Sequence, residues 1–528
     1  MTVPKVDEFL PHPVKIQLPG VEFCLNSSPR WHEVVILAFQ HYLVMLGTIV
    51  IIATILVPLL GGGDAEKAEM VSNMLFAAGI NTLLQTWFGT RLPVVIGGSF
   101  TYLIPTVSIA LSNSEYDQSQ DPDDIFQQSI QRIQGALIIA GILQMVMGFL
   151  GFWRIITRFI TPLSVVPFVT LTGLGLFVYG FPRLAKCIEI GLPALVLLVI
   201  FSQYFPNLLK SRSAVFERYA VLLTVAFAWI FAELLTISGA YNGRSVNTQF
   251  SCRTDRAGLI SGAEWIRIPY PFQYGGPVFF AGDAFAAMAA AIVAMIESTG
   301  TFIAASRFAS ATPVPPSVLS RGVGWLGVGT LIDGALGTGN GSTASVENTG
   351  LLGLTRIGSR RVVQISAGYM LFFSILGKFG ALIASIPLPI VAALFCVLYS
   401  YVAAAGLGFL QFCNLNSFRT KFILGFSVFM ALSIPQYFNE YFLISGHGPV
   451  HTHAIWFNNI MQVIFTSAPA VALGLAYLLD ATHSYGQGSV RRDSGRHWFE
   501  KFWVFSADVR SEEFYSLPYN LDRFFPSF

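Results

Sequence analysis

Long apolar runs, each close to the length a helix needs to cross a bilayer, recur almost from one end of the chain to the other. A hydrocarbon core of ~30 Å takes ~20 helical residues, and runs of that order lie at 33–60, 70–90 and 132–152. Further ones lie at 160–180, 189–206, 216–239, 282–306, 319–338, 360–386, 389–411, 419–435 and 455–479. Trp31, Trp87 and Trp153 fall near the ends of the first three, where interfacial aromatics belong. Two stretches break the pattern: 93–112, beginning PVVIGGSFTYLIPT, and 339–356, reading GNGSTASVENTGLLGLTR. Both are half-length and rich in glycine. A membrane tolerates irregular backbone only where it is buried in protein or lines a cavity. Interrupted segments at matching places in two halves point to the binding site of a secondary transporter.

Counted with these two, the segments number fourteen, and the long polar stretch 240–281 divides them seven and seven. An odd number in each half inverts the second copy. The predicted fold is therefore an all-α polytopic membrane protein, a seven-plus-seven inverted repeat whose third and tenth segments are broken. Internal similarity is faint: LGTIVIIAT (46–54) resembles TGTFIAAS (299–306) no more than glycine and threonine in membrane helices would by chance. Most of the 31 Lys and Arg residues gather on one side of this arrangement, which by the positive-inside rule places both termini in the cytoplasm. The acidic loop 113–131 then faces outward as a solvated loop.

Composition agrees with a bilayer as solvent. Of 528 residues 54% are hydrophobic and 11% charged, against about a quarter charged in soluble domains, and the mean hydropathy is +0.62. The five cysteines form no CxxC pair and have no metal-ligand spacing with histidine, so neither a metal nor a redox cofactor is expected. Cys187 and Cys252 both fall in loops predicted to lie outside, where a disulfide can form. The first 30 residues are polar and proline-containing, without the apolar core of a signal peptide, and the first apolar segment is expected to start insertion.

An ionisable side chain in mid-membrane costs at least ~2.5 kcal/mol on insertion scales, so it needs a partner or a use. Glu297 stands in AAMAAAIVAMIESTGTF with no basic residue one helical turn on. A carboxyl there can accept N–H bonds from a polar ligand and carry a transported proton; a protonated carboxyl bonding a neighbouring helix is the structural alternative. Glu347 and Asn348 follow GTGNGSTASV on the broken tenth segment. A carboxylate accepts ring N–H protons and an amide both donates and accepts, so the pair can match the edge of a uracil or purine; capping of the broken helix is the alternative. Gln40 and His41 lie early in segment one, His41 more as a structural hydrogen bonder that orients the site than as a ligand. Arg356, Arg360 and Arg361 read as cytoplasmic anchors. Asp333 and Lys378 can pair across segments nine and eleven, or each can snorkel.

The run Glu347-Asn348-Thr349-Gly350-Leu351-Leu352-Gly353-Leu354-Thr355-Arg356 resembles the signature of the nucleobase-ascorbate transporter family. That signature is Gln, Glu or Pro, then Asn, any residue, Gly, four further residues, Thr, and Arg, Lys or Gly. Gln40-His41 resembles the family's first-helix motif, Glu297 its eighth-segment carboxylate and Ser99-Phe100 its third-segment substrate contact, so the resemblance spans roughly 30–480. The continuation GLTRIGSRRVVQISAGYMLFFS resembles plant members. It implies a core domain (33–159 and 282–388) and a gate domain (160–239 and 389–480), flanked by a cytoplasmic N-terminal segment 1–32, the extracellular loop 240–281 and a cytoplasmic tail 481–528. The site would lie between core and gate in a plasma-membrane homodimer whose core moves elevator-fashion. By matching position, Glu297, Glu347, Phe100, Asn348, Ser99 and Val346 would contact the base, with Phe100 stacking on it. Gln40, His41, Gly350, Thr355 and Arg356 would support the site, and Glu297 with Thr301 would mark the proton-coupling position.

Two departures bear on mechanism. Thr301 stands where relatives often have Asp or His, which removes a second protonatable group. Glu347 at the first signature position resembles bacterial uracil and plant members, whereas fungal purine carriers have Gln and ascorbate carriers Pro. The expected activity is import of nucleobases (uracil, or purines such as adenine, guanine, xanthine and uric acid) with a co-transported proton and no other cofactor. The substrate, the lipid bilayer and a second copy are the expected partners, and no nucleic acid. An ascorbate or inorganic-anion transporter on the same fold is the alternative, ascorbate disfavoured by Glu347 in place of Pro and an inorganic anion because acidic site residues repel it. Nothing in the chain forms a nucleophile–base or metal constellation, so an enzyme is not expected.

Overall fold

The computed structural model describes residues 18, 20–116, 122–208, 215–255, 259–445, 447–483, 493–504 and 509–525. Part of the acidic loop at 113–131 lies outside them. Helices α1 (Trp31–Leu59) and α2 (Asp64–Trp87) lead to a three-residue strand β1 (Ile96–Gly98), a 3-10 turn at Phe100–Tyr102 and α3 (Leu103–Tyr116). Next come α4 (Pro122–Phe149), α5 (Pro162–Leu174), α6 (Ile188–Val199), α7 (Ala220–Ile237), α8 (Ala281–Phe308) and α9 (Pro316–Leu336). Strand β2 (Ser342–Ala344) then precedes α10 (Val346–Thr355), α11 (Arg360–Ile375), α12 (Gly377–Ala384), α13 (Leu388–Leu407), α14 (Phe418–Ser445), α15 (Ile455–Thr466) and α16 (Ala468–Thr482). Among the described residues seven helices are long and apolar enough to cross a membrane, or up to nine if each of two bent pairs is one span.

The bends were not visible as separate elements in the apolar pattern. The expected eleventh segment turns by 109° between α11 and α12, and the expected fourteenth by 84° between α15 and α16. The fifth and sixth are separate helices, α5 and α6, joined by short turns across 175–187.

The fold is also not purely helical. Strands β1 and β2 pair antiparallel, with Ile96 opposite Ala344, Gly97 opposite Thr343 and Gly98 opposite Ser342. The two glycine-rich half-segments leave the helix at these positions, and in hydrocarbon every backbone N–H and C=O must find a partner within the protein. Each unwound stretch satisfies the other. The ladder is extended where Ser345 N donates to Val95 O (2.9 Å), and Ala344 N donates to Ser298 Oγ on α8 (3.1 Å).

Behind the strand pair, α4 and α9 lie backbone to backbone. A Cβ on Gly148 would sit 2.1 Å from Gly324 N, and one on Gly327 2.5 Å from Met145 N. Small residues are what permit such an approach, which gains dispersion contact where lipid offers no hydrophobic drive. The polar side chains on these faces then close a buried network. Asn81 Nδ2 on α2 donates to Asp333 Oδ1 on α9 (3.2 Å) and to Ser342 Oγ on β2 (3.3 Å). Asn340 Nδ2 donates to Ser99 O (2.9 Å). Asp333 and Lys378 do not pair: Lys378 Nζ donates to Ile260 O (2.6 Å). The α11–α12 bend carries Lys378 out to the loop, while α9 holds Asp333 inward.

The C-terminal segment 509–525 is not a loose tail. Arg321, buried on α9, donates through Nε to Gly89 O (2.7 Å) and through Nη2 to Tyr515 O (2.8 Å), and meets Asp522 at 3.2 Å.

Cys187 and Cys252 form a disulfide with Cα atoms 5.5 Å apart, tying the start of α6 to the short helix Val246–Cys252. A bond closing a loop of this size stabilises by ~2–5 kcal/mol, chiefly through the unfolded chain. Cys187→Ser is therefore expected to lower the thermal midpoint of purified protein by several degrees and to leave Cys252 open to a maleimide once unfolded without reductant. An unchanged midpoint would show that the crosslink adds nothing to stability.

Candidate functional site

The strand pair positions the residues that the sequence singled out. After β1 the chain turns helical at Ser99, whose Oγ accepts from Thr101 N (3.1 Å); after β2 it does so at Ser345, whose Oγ accepts from Asn348 N (3.1 Å). Serine at each N-cap satisfies an amide that the helix start leaves open. Two short helices thus begin at one place in the protein interior, and each directs the positive end of its dipole there. Glu347 in the first turn of α10 is the residue type that end favours.

Glu297, midway along α8, is the meeting point. Its Oε2 accepts from Thr101 Oγ1 just after β1, and its Oε1 accepts from Ser467 Oγ (3.0 Å) at the break between α15 and α16. Glu347 is buried and accepts from Thr48 Oγ1 on α1. Neither carboxylate has a basic partner among the described residues. Hydroxyls are the donors to both, which leaves a carboxylate able to trade them for the N–H groups of a ligand. Phe100 stacks on Tyr179, with ring centroids 3.8 Å apart and planes 20° apart. Beside them Tyr399 on α13 is buried within electrostatic reach of Glu347 and Tyr179, and its hydroxyl has no hydrogen-bond partner among the described residues.

The supporting residues divide. His41 Nδ1 and Asn348 Oδ1 lie 3.0 Å apart, and Asn348 Nδ2 donates to Ser345 Oγ (2.9 Å). The Asn348 amide is thus committed to the protein on both ends. It braces α10 against α1, and the base-reading edge in this conformation falls to Glu347 and Glu297. Gln40 points elsewhere, its Nε2 donating to Arg218 O (2.7 Å). Val346 is buried in the apolar cluster that also takes Phe168 and Phe395. Thr355 Oγ1 donates to Leu351 O (2.8 Å) within α10. Arg356 ends that helix with φ +56 and pairs with Glu217 at 2.6 Å, away from the two carboxylates. Thr301 Oγ1 donates to the backbone carbonyl of Glu297 (2.9 Å), so it braces the helix and does not touch the carboxyl group.

Ser467, Tyr179 and Tyr399 were missed by sequence reasoning. For Ser467 a signal exists: Ser-Ala-Pro at 467–469 inside an apolar run is a helix start, with a serine cap and a proline in the first turn.

Gly350 shows how closely the site's scaffold is packed. A Cβ there would fall 2.1 Å from Leu398 O on α13, a backbone atom that cannot rotate away. Gly350→Val is expected to abolish uptake by cells while protein at the surface falls, as measured by transport and surface biotinylation together. Wild-type uptake by this variant would show that α10 and α13 need no such contact.

Compared with known proteins, residues 32–440 match the permease family. Nucleobase-ascorbate transporter 4 of Arabidopsis thaliana is 64% identical over 99% of each chain. Nucleobase-ascorbate transporter LPE1 of Zea mays is 58% identical over 99% of each. Among solved structures, the transmembrane domain of the cyanobacterial bicarbonate transporter BicA superposes with a TM-score of 0.42 at 13% identity, covering 87% of this chain and 99% of that one. With full-length identity at this level to plant transporters, the chain belongs to the nucleobase-ascorbate transporter family and is a multi-pass membrane transporter, not an enzyme.

Proposed function

We propose that this protein imports nucleobases by proton symport, with Glu297 as the coupling carboxyl and Glu347 as the principal reader of the base. The observation that carries the reading is the pair of hydroxyl donors on Glu297. Thr101 belongs to the β1 side of the site, and Ser467 to the α15–α16 break. A carboxyl held between two elements by exchangeable hydrogen bonds can release one when it gains a proton or a ligand, so its occupancy reports to both elements at once.

The proposed working assembly divides these residues between two domains. The core domain (33–159 and 282–388) carries Glu297, Glu347 and Phe100; the gate (160–239 and 389–480) carries Tyr179, Tyr399 and Ser467. Fourteen segments in two inverted sets of seven, both termini in the cytoplasm, and a homodimer in the plasma membrane complete the proposal. The core moves elevator-fashion along the gate and carries the base and its proton. A planar base would take the place of one ring in the Phe100–Tyr179 stack, which offers a π-face to any base.

Uptake of labelled uracil, adenine, xanthine and ascorbate at several external pH values tests this. Nucleobase uptake should rise as the external pH falls, and unlabelled nucleobase should compete while ascorbate does not. Ascorbate or inorganic-anion flux without nucleobase competition would overturn the proposal. Two carboxylates facing the ligand disfavour an anion electrostatically.

A further inference from the structure

We infer that the turn between α14 and α15 is a binding site for a divalent transition metal, formed by His447 and His451, and that the bound metal slows transport. Nothing in the proposed symport uses these residues. The rings of His447 and His451 meet edge to face with centroids 4.4 Å apart, so two imidazoles that could each have faced solvent are already gathered. His447 Nδ1 lies 3.2 Å from Gly448 O. A carbonyl only accepts, so that nitrogen is the donor, and in the neutral ring Nε2 then presents its lone pair, the state in which a histidine binds a metal. Among the described residues, the hydrogen-bond contact of His451 Nε2 is a long one, 3.5 Å to Tyr441 Oη. His453 is exposed two residues on. A donor set of imidazoles without thiolate suits zinc, copper or nickel, and not calcium or magnesium.

The turn is pinned to the helix that leads to the site. Thr452 N donates to Asn458 Oδ1 and Asn458 Nδ2 to Thr452 O, both at 3.0 Å, at the start of α15. The other end of α15 is Ser467, the donor to Glu297. A metal that fixes the turn restrains α15 and hence the gate side of the site. This consequence rests on the symport reading; the metal site itself does not.

Two measurements test the inference on the full-length protein. Calorimetric titration of purified protein with zinc should show one site of micromolar affinity, weakened about tenfold or more in His447→Ala/His451→Ala protein, since the variant removes both imidazoles. Labelled-nucleobase uptake by cells should fall when zinc is added outside, and the double variant should keep its uptake with zinc present. The variant's uptake without zinc, equal to wild type, shows that it folds. Equal zinc affinity in both proteins would overturn the site whatever the transported substrate proves to be. Zinc binding that leaves wild-type uptake unchanged would overturn the link to transport.

Discussion

Glu297→Gln is expected to remove the pH dependence of nucleobase uptake and to leave little transport at any pH. Glutamine has the size of glutamate. Its carbonyl oxygen can still accept from one of Thr101 and Ser467, and its amide nitrogen can donate to the other, because a hydroxyl accepts as well as donates. The helix and its contacts should therefore survive, and what disappears is the ability to hold and release a proton. If the amide also loses a charged hydrogen bond to the base, the added cost is ~1.5–3 kcal/mol, or about 10–150-fold in affinity. The measurement is uptake against external pH for wild type, Glu297→Gln, Glu297→Asp and Lys421→Ala, with surface expression quantified for each. Lys421 lies exposed near the start of α14 over the Phe418 ring, and its variant should match wild type. Wild-type uptake rising as pH falls, beside a low and flat profile for Glu297→Gln, is the expected outcome. A pH profile in Glu297→Gln parallel to wild type would move the coupling group elsewhere. Asp333 would then be the next candidate, since its Oδ2 has no hydrogen-bond partner among the described residues.

What could be read from the chain divides along a physical line. Apolar length and costly polar residues are local properties, and they located α1, α8, the two half-segments and both glutamates without any coordinates. Glycine at 97–98 and at 339 and 341 announced irregular backbone, because such residues leave a helix cheaply. That the two stretches would pair as strands was not legible, since three residues carry no period and the partner lies about 250 positions away. The bend at Ser467 was hidden for another reason: apolar residues on both sides of it keep the run continuous for hydropathy, although the serine and the proline after it mark a helix start. Roles proved harder to read than positions. Asn348 has the chemistry to read a base, yet its two polar ends are taken by His41 and Ser345, and Thr301, one turn from Glu297, turns its hydroxyl to the backbone. Side-chain direction depends on neighbours that only the fold supplies.

Glu347 should act on affinity more than on coupling. It is buried, it stands in the first turn of α10 where that helix's dipole is positive, and it accepts from Thr48 Oγ1 across on α1. A base that brings ring N–H groups to this carboxylate replaces or shares that hydroxyl and gains a charge-assisted bond, roughly twice as strong as a neutral one. Glu347→Ala removes the acceptor and leaves the base's N–H unpaired in a dry site, at ~1.5–3 kcal/mol, so the concentration for half-maximal uptake should rise about 10–150-fold. The residual uptake should still respond to external pH, because Glu297 remains. Thr48→Val tests the geometry separately. It deletes the hydroxyl and keeps the volume, so the carboxylate stays but loses its orienting bond, and the half-saturation should rise only by the ~0.5–1.5 kcal/mol of an ordinary hydrogen bond, roughly 2–13-fold. The double variant should cost no more than Glu347→Ala alone, since groups that act through one contact are not additive. Additive losses would mean that Thr48 touches the base independently. Unchanged half-saturation in Glu347→Ala would remove Glu347 from the site, leaving Glu297 and the Phe100–Tyr179 stack to hold the base.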